Sequence, residues 1–170
     1  MKKIAITMVC LTLALVSGCQ REDKNDPLKI AGKIFIFNYR IAEATYVLTL
    51  ARNGPLPDDS YVEARFDNPA GGAPLTKREK IFPFWDKITV ESPPVHCIVK
   101  NKPYAVNIRI VDGKDKLIQT IDTTMTSTLD QTILPGKPLV VGPIYTPNPN
   151  VFRADGTTDF SPETGCPAKT

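Results

Sequence analysis

Turn-forming residues interrupt this chain at intervals too short for long helices. Asn53-Gly54-Pro55, Asp67-Asn68-Pro69, Ser92-Pro93-Pro94, Asn101-Lys102-Pro103, Asp112-Gly113-Lys114 and Leu134-Pro135-Gly136 each combine residues that fix or free φ with side chains that bond nearby backbone. Short apolar runs lie between them. In 104–111, Tyr104, Val106, Ile108 and Ile110 alternate with Ala105, Asn107 and Arg109, which is the period of a half-buried strand. Similar runs occupy 28–38, 44–52, 60–66, 87–91, 95–100, 116–127 and 139–141. Val111-Asp112-Gly113-Lys114, set between two such runs, is a hairpin signal. No window holds a 3.6-residue apolar stripe beyond a turn or two, and 16 prolines leave little room for one. The spacing predicts a mostly β chain: a single antiparallel β-sandwich of immunoglobulin-like or transthyretin-like type. Seven prolines from Pro135 onward predict an extended Pro-rich C-terminal tail.

The first residues follow a different logic. Lys2 and Lys3 precede an uncharged run from Ile4 to Val16, which ends in the small residues Ser17 and Gly18. That is the three-part layout of an export signal. The run is 13 residues long, short of the roughly 20 that cross a bilayer as a helix. Val16-Ser17-Gly18-Cys19 resembles the lipobox of bacterial lipoprotein signal peptides, a likeness confined to about the first 20 residues. The resemblance implies that a diacylglyceryl group joins the Cys19 sulfur, that the signal is cut between Gly18 and Cys19, and that the new amine is acylated by a fatty acid such as palmitate. Two or three acyl chains hold a protein durably at a membrane without spanning it. Gln20 stands where Asp would resemble an inner-membrane retention mark in enteric Gram-negative lipoproteins. The outer membrane, facing the periplasm, is therefore the expected address, with the outward face of the cytoplasmic membrane as the alternative.

The expected organisation is then a signal peptide at 1–18, a lipidated flexible tether at 19–27, a β-sandwich at 28–142 and a Pro-rich tail at 143–170. Removing the signal takes away Lys2 and Lys3 and leaves 19 basic against 18 acidic side chains. Such a balance, with no basic cluster longer than Lys77-Arg78 in the body, argues against a nucleic-acid partner.

Two cysteines remain in the mature chain, Cys97 and Cys166, and export carries them to a compartment where disulfides persist. A bond between them is expected and would tie the tail back. Free thiols or an intermolecular bond are the alternatives.

Candidate chemistry is sparse. His96, the single histidine, adjoins Cys97, but neighbours on a strand face opposite ways and no second histidine offers itself as a ligand. The acidic pairs Asp58-Asp59, Asp112 with Asp115, and Asp155 with Asp159 lack the spaced calcium loop with its closing Glu. The Gly71-Gly72 loop lacks the lysine of a phosphate cradle. No enzymatic activity, metal or cofactor is expected. The distinctive segment is Ile81-Phe82-Pro83-Phe84-Trp85, next to the charged run Lys77-Arg78-Glu79-Lys80. Two readings stay open for it: Phe82, Phe84 and Trp85 form a partner-contact patch, or they fold back and plug one end of the sandwich. The expected function is a membrane-anchored, non-catalytic lipoprotein of the cell envelope that binds or assembles with another envelope protein. A small-ligand carrier or receptor is the alternative.

Overall fold

The structure, a computed structural model, describes residues 26–167. Gly18 and Cys19, with the rest of the expected signal and most of the tether, lie outside the described residues. The chain runs through β1 (Leu28–Asn38), β2 (Glu43–Arg52), β3 (Tyr61–Phe66), β4 (Leu75–Lys80), β5 (Lys87–Glu91), β6 (Pro103–Val111) and β7 (Leu117–Thr126). A 3-10 turn, Gln131–Ile133, and the short strands β8 (Val140–Val141) and β9 (Thr146–Pro147) follow.

All pairings between these strands are antiparallel. One sheet has the order β1-β2-β5, a second has β4-β3-β6-β7, and β8 pairs with β9. Alternation decides which side chains turn inward. Ala44, Tyr46, Leu48 and Leu50 of β2 and Ile88 and Val90 of β5 meet Val62, Ala64 and Phe66 of β3 and Tyr104, Val106, Ile108 and Ile110 of β6 in one buried cluster. The chain is mostly β, and its two antiparallel sheets share this core as the layers of a β-sandwich do. Tyr46 lies at the centre, 4.6 Å from the Phe35 ring and 5.4 Å from the Phe66 ring, with its hydroxyl donating to the Asp67 carbonyl at 3.0 Å.

β1 changes phase part-way along. Its register with β2 shifts between Ile30 and Gly32, so Leu28 and Ile30 face the core before the bulge, and Phe35 and Phe37 after it. The same shift turns Ile34 and Ile36 outward, where they are exposed.

One expected strand is absent and one strand was not expected. The run 95–100 is not a strand: Val95 makes one isolated bridge to Ala44, and Cys97 takes a positive φ of 64°, which breaks an extended run. Conversely, 75–80 is a strand despite its charges. As the edge of its sheet, β4 pairs only with β3, and Arg78 there bonds Glu63 across the pair at 2.6 Å and lies over the Tyr61 ring. Charge on an exposed edge is compatible with pairing on one side and discourages pairing on the other.

Candidate functional site

Strand direction sorts the loops into two ends. The start of β1, the end of β2 and the start of β5 lie together, because Leu28 pairs with Arg52 and Ala51 pairs with Lys87. The β1–β2 turn, with Tyr39 and Arg40, lies at the other end, some ten residues or about 33 Å along β1.

The aromatic segment occupies the first end. Ile81 is buried and fixed by its N–H to the Ser60 carbonyl at 2.8 Å. The chain then turns, Trp85 N–H donating to the Phe82 carbonyl at 3.1 Å, and Arg52 clasps that turn from β2. Its Nε donates to the Trp85 carbonyl at 3.0 Å and a terminal guanidinium nitrogen to the Phe82 carbonyl at 3.3 Å. The rings of Phe82 and Trp85 meet edge to face at 4.8 Å, and the Phe84 ring lies 5.8 Å from Phe82 and 6.3 Å from Trp85. The three residues therefore form one cluster with two depths. Trp85 is half-buried and packs against the core, whereas Phe84 is 78% exposed and Phe82 39%. Features of both sequence readings coexist in this cluster.

Cys97 and Cys166 are joined in a disulfide that closes a separation of 69 residues. Beside it, His96 Nδ1 meets a Glu163 carboxylate oxygen at 3.0 Å. Cys97 is buried while His96 is exposed, although the positive φ of Cys97 means that strand alternation is not what separates them. Glu163 also lies close to both sulfurs, but sulfurs bonded to each other are not thiolate ligands or nucleophiles. The chemistry available here is that of a staple between the β5–β6 connection and the C-terminal segment.

That segment is further tied down by Leu139 N–H donating to the Arg40 carbonyl at 2.9 Å and by the Arg40 guanidinium 4.9 Å over the Tyr145 ring. The β8–β9 hairpin thereby sits at the end opposite the aromatic cluster and presents Ile144, 80% exposed, and Tyr145. Arg40, Ile144 and Tyr145 carried no periodic signal, since all three lie in turns. Gly142-Pro143 between apolar residues was the one available cue.

Five residues of the acidic pairs, Asp59, Asp112, Asp115, Asp155 and Asp159, bond partners of their own. Asp59 pairs with Lys80 at 2.5 Å and Asp115 with Arg78 at 2.6 Å. Asp112 accepts the N–H groups of Lys116 and Lys114, bonds that lower its pKa, and Asp155 is lowered by the hydroxyl and N–H of Thr157. Asp159, bonded to Lys137 and to the N–H of Ser161, is held far below the usual carboxylate range. An open groove of about 510 Å³ runs along the seam between β1 and β7, lined by Lys33, Asn107, Asp122, Thr123 and Thr124 among others. No protein-family model matches the chain, and no curated protein matches it significantly.

Proposed function

We propose that the chain is a bacterial envelope lipoprotein, cleaved before Cys19 and held there by lipid, whose β-sandwich is a non-catalytic module that binds another envelope protein. The observation that carries the reading is the Val16-Ser17-Gly18-Cys19 sequence behind a basic, then apolar leader. The Cys97–Cys166 bond supports it, because such a bond persists in the oxidising compartments that export reaches. The outer membrane, facing the periplasm, is the address that Gln20 favours.

Within the proposal the domain is immunoglobulin-like rather than transthyretin-like. Two observations support that choice. Its strand order splits the seven strands three and four, as immunoglobulin-type sandwiches do. Tyr104, at the start of the sixth strand, turns its hydroxyl back to accept the Val99 N–H at 2.8 Å, five residues upstream. This is the bond of a tyrosine corner. The partner-binding surface is assigned to the end with Tyr39, Arg40, Ile144 and Tyr145, where an exposed aromatic and aliphatic tip meets an arginine, the residue types that dominate binding hot spots. The small-ligand reading draws on the β1–β7 groove. Its polar groups are already engaged with one another, Lys33 with Thr123 and Thr124, and Asn107 with Asp122, and it is open to solvent, whereas ligand pockets enclose most of their ligand's surface.

Cys19→Ala tests the anchor: palmitate labelling and membrane fractionation should both be lost. Labelling that survives the substitution refutes it. For the module, a partner co-purified from detergent-solubilised membranes with the wild-type chain should be lost with Tyr145→Ala and retained with a distant surface change such as Thr120→Ala.

A further inference from the structure

We infer that the Phe82–Trp85 loop is a second, interfacial contact with the phospholipid bilayer, seated beside the lipid on Cys19. The inference rests on the lipoprotein reading and adds to it an orientation for the whole domain.

Position comes first. The first described residues are held against the end of β2: the Pro27 carbonyl accepts the N–H groups of Asn53 and Gly54, and the Asp26 carbonyl accepts Asn53 Nδ2. The next residue, Leu28, pairs with Arg52, the side chain that clasps the aromatic loop, while the Arg52 N–H donates to the Asp86 carbonyl. The loop thus lies at the point where the chain leaves toward Cys19. Seven residue steps separate Cys19 from Asp26, and a fully extended chain covers at most about 3.6 Å per step, or about 25 Å in all. A lipidated Cys19 therefore holds this end near the bilayer, and the hairpin carrying Ile144 and Tyr145 points away.

Chemistry agrees with position. Phe84 and Phe82 project from a loop whose backbone is fixed by Arg52 and by the buried Ile81, so the rings are presented without ordering a flexible segment. Aromatic rings are favoured at the membrane–water boundary, where an apolar body meets a wet rim. Trp85 behind them supplies the rigid backing. Charges beside the loop and its attachments balance, Lys29, Arg52, Lys80 and Lys87 standing against Asp26, Asp58, Asp59 and Asp86, so attraction to anionic lipid is not what the site is built for. Contact through rings predicts weak dependence on salt and on lipid charge.

Trp85 is the only tryptophan in the chain, which makes the test direct. The full-length lipidated protein is reconstituted into phosphatidylcholine vesicles whose acyl chains carry bromine near the headgroup. Trp85 emission should fall about twofold relative to unbrominated vesicles, at low and high salt alike, and Phe84→Ser should abolish most of that fall. Flotation, compared with Cys19→Ala, reports the anchor independently. Protein that floats with Trp85 unquenched overturns the inference and leaves the anchor standing, and so does quenching unchanged by Phe84→Ser. Wild-type protein that does not float overturns both. Shielding of Trp85 that appears only in native membranes, and not in pure lipid, assigns the loop to a protein partner instead and likewise overturns the inference.

Discussion

Gln119 bonds both backbone groups of Leu28, donating from Nε2 to the carbonyl at 2.8 Å and accepting the N–H on Oε1 at 3.1 Å. Both residues are buried, and 91 positions separate them. The side-chain amide acts as a stand-in peptide group, joining the edge of one sheet at β1 to the edge of the other at β7, where no backbone ladder runs. Lys33 repeats the device further along the seam, its Nζ donating to Thr123 Oγ1 at 3.0 Å and to the Thr124 carbonyl at 2.8 Å.

Gln119→Leu should therefore destabilise far more than its similar size suggests. Two buried backbone groups lose their partners, and each unsatisfied group costs about 1–3 kcal/mol. A loss of about 2 kcal/mol or more is expected in urea denaturation, read as a lower midpoint at unchanged slope. Lys33→Met, on the exposed part of the seam, should cost less than about 1 kcal/mol.

The disulfide yields a second expectation. For a loop of 69 residues the chain-entropy model predicts roughly 4 kcal/mol of stabilisation, less any native strain. Reduction, or the Cys97→Ala/Cys166→Ala double variant, should lower the unfolding midpoint by an amount of that order. Thiol labelling of the denatured, unreduced mature protein should find neither cysteine, and quantitative labelling of both would contradict the bond.

Gln119 and Leu28 also mark where sequence reasoning stops. The strands β2, β3 and β5 were readable because each keeps one phase of alternation between turn residues, and β6 and β7 keep one except where their register shifts between Ile110 and Val111, beside the hairpin at Asp112-Gly113 that joins them. β1 was readable as a strand but not in its facing. The bulge between Ile30 and Gly32 exchanges which of Ile34 and Phe35 faces the core, and a run in which every residue from Ile34 to Phe37 is apolar carries no alternation to reveal it. β4 was hidden for the opposite reason, since Lys77-Arg78-Glu79-Lys80 has no apolar face and is held by backbone pairing and cross-strand charge. The aromatic cluster was legible as composition, whereas its clasp by Arg52 depends on contacts 30 or more residues apart in sequence.

Alkaline stability should depend on Tyr46. Burial, then the neighbouring Tyr104 and Asp67, raises its phenol well above the ordinary value of 10.0. Unfolding restores the ordinary value, so above about pH 10 the unfolded state releases a proton that the folded state keeps, and the stability tied to this group declines as pH rises. Below that pH the contribution is fully present. Tyr46→Phe should cost about 1 kcal/mol at neutral pH through the lost bond to the Asp67 carbonyl. It should also flatten the decline above pH 10, leaving the smaller share due to Tyr104, which burial raises as well. Urea midpoints measured from pH 7 to 11 in both proteins check the sign, and identical slopes would contradict the assignment.

The two depths within the aromatic cluster separate what Trp85 and Phe84 do for the fold. Full truncation of a core aromatic costs about 3–5 kcal/mol. Trp85 is only half-buried, so Trp85→Ala should cost about 2 kcal/mol as its contacts with Phe82 and the core are lost. Phe84→Ala removes a ring that is 78% exposed and should change stability by less than about 0.5 kcal/mol. Acrylamide quenching adds a measure that does not require unfolding. Wild-type Trp85 should be partly shielded in the isolated chain, and Phe82→Ala should increase its quenching more than Phe84→Ala, because the Phe82 ring lies at 4.8 Å and the Phe84 ring at 6.3 Å. Equal destabilisation by Trp85→Ala and Phe84→Ala would mean that the cluster is a plug throughout. A large cost for Trp85 and none for Phe84 leaves Phe84 as a ring that the fold does not need.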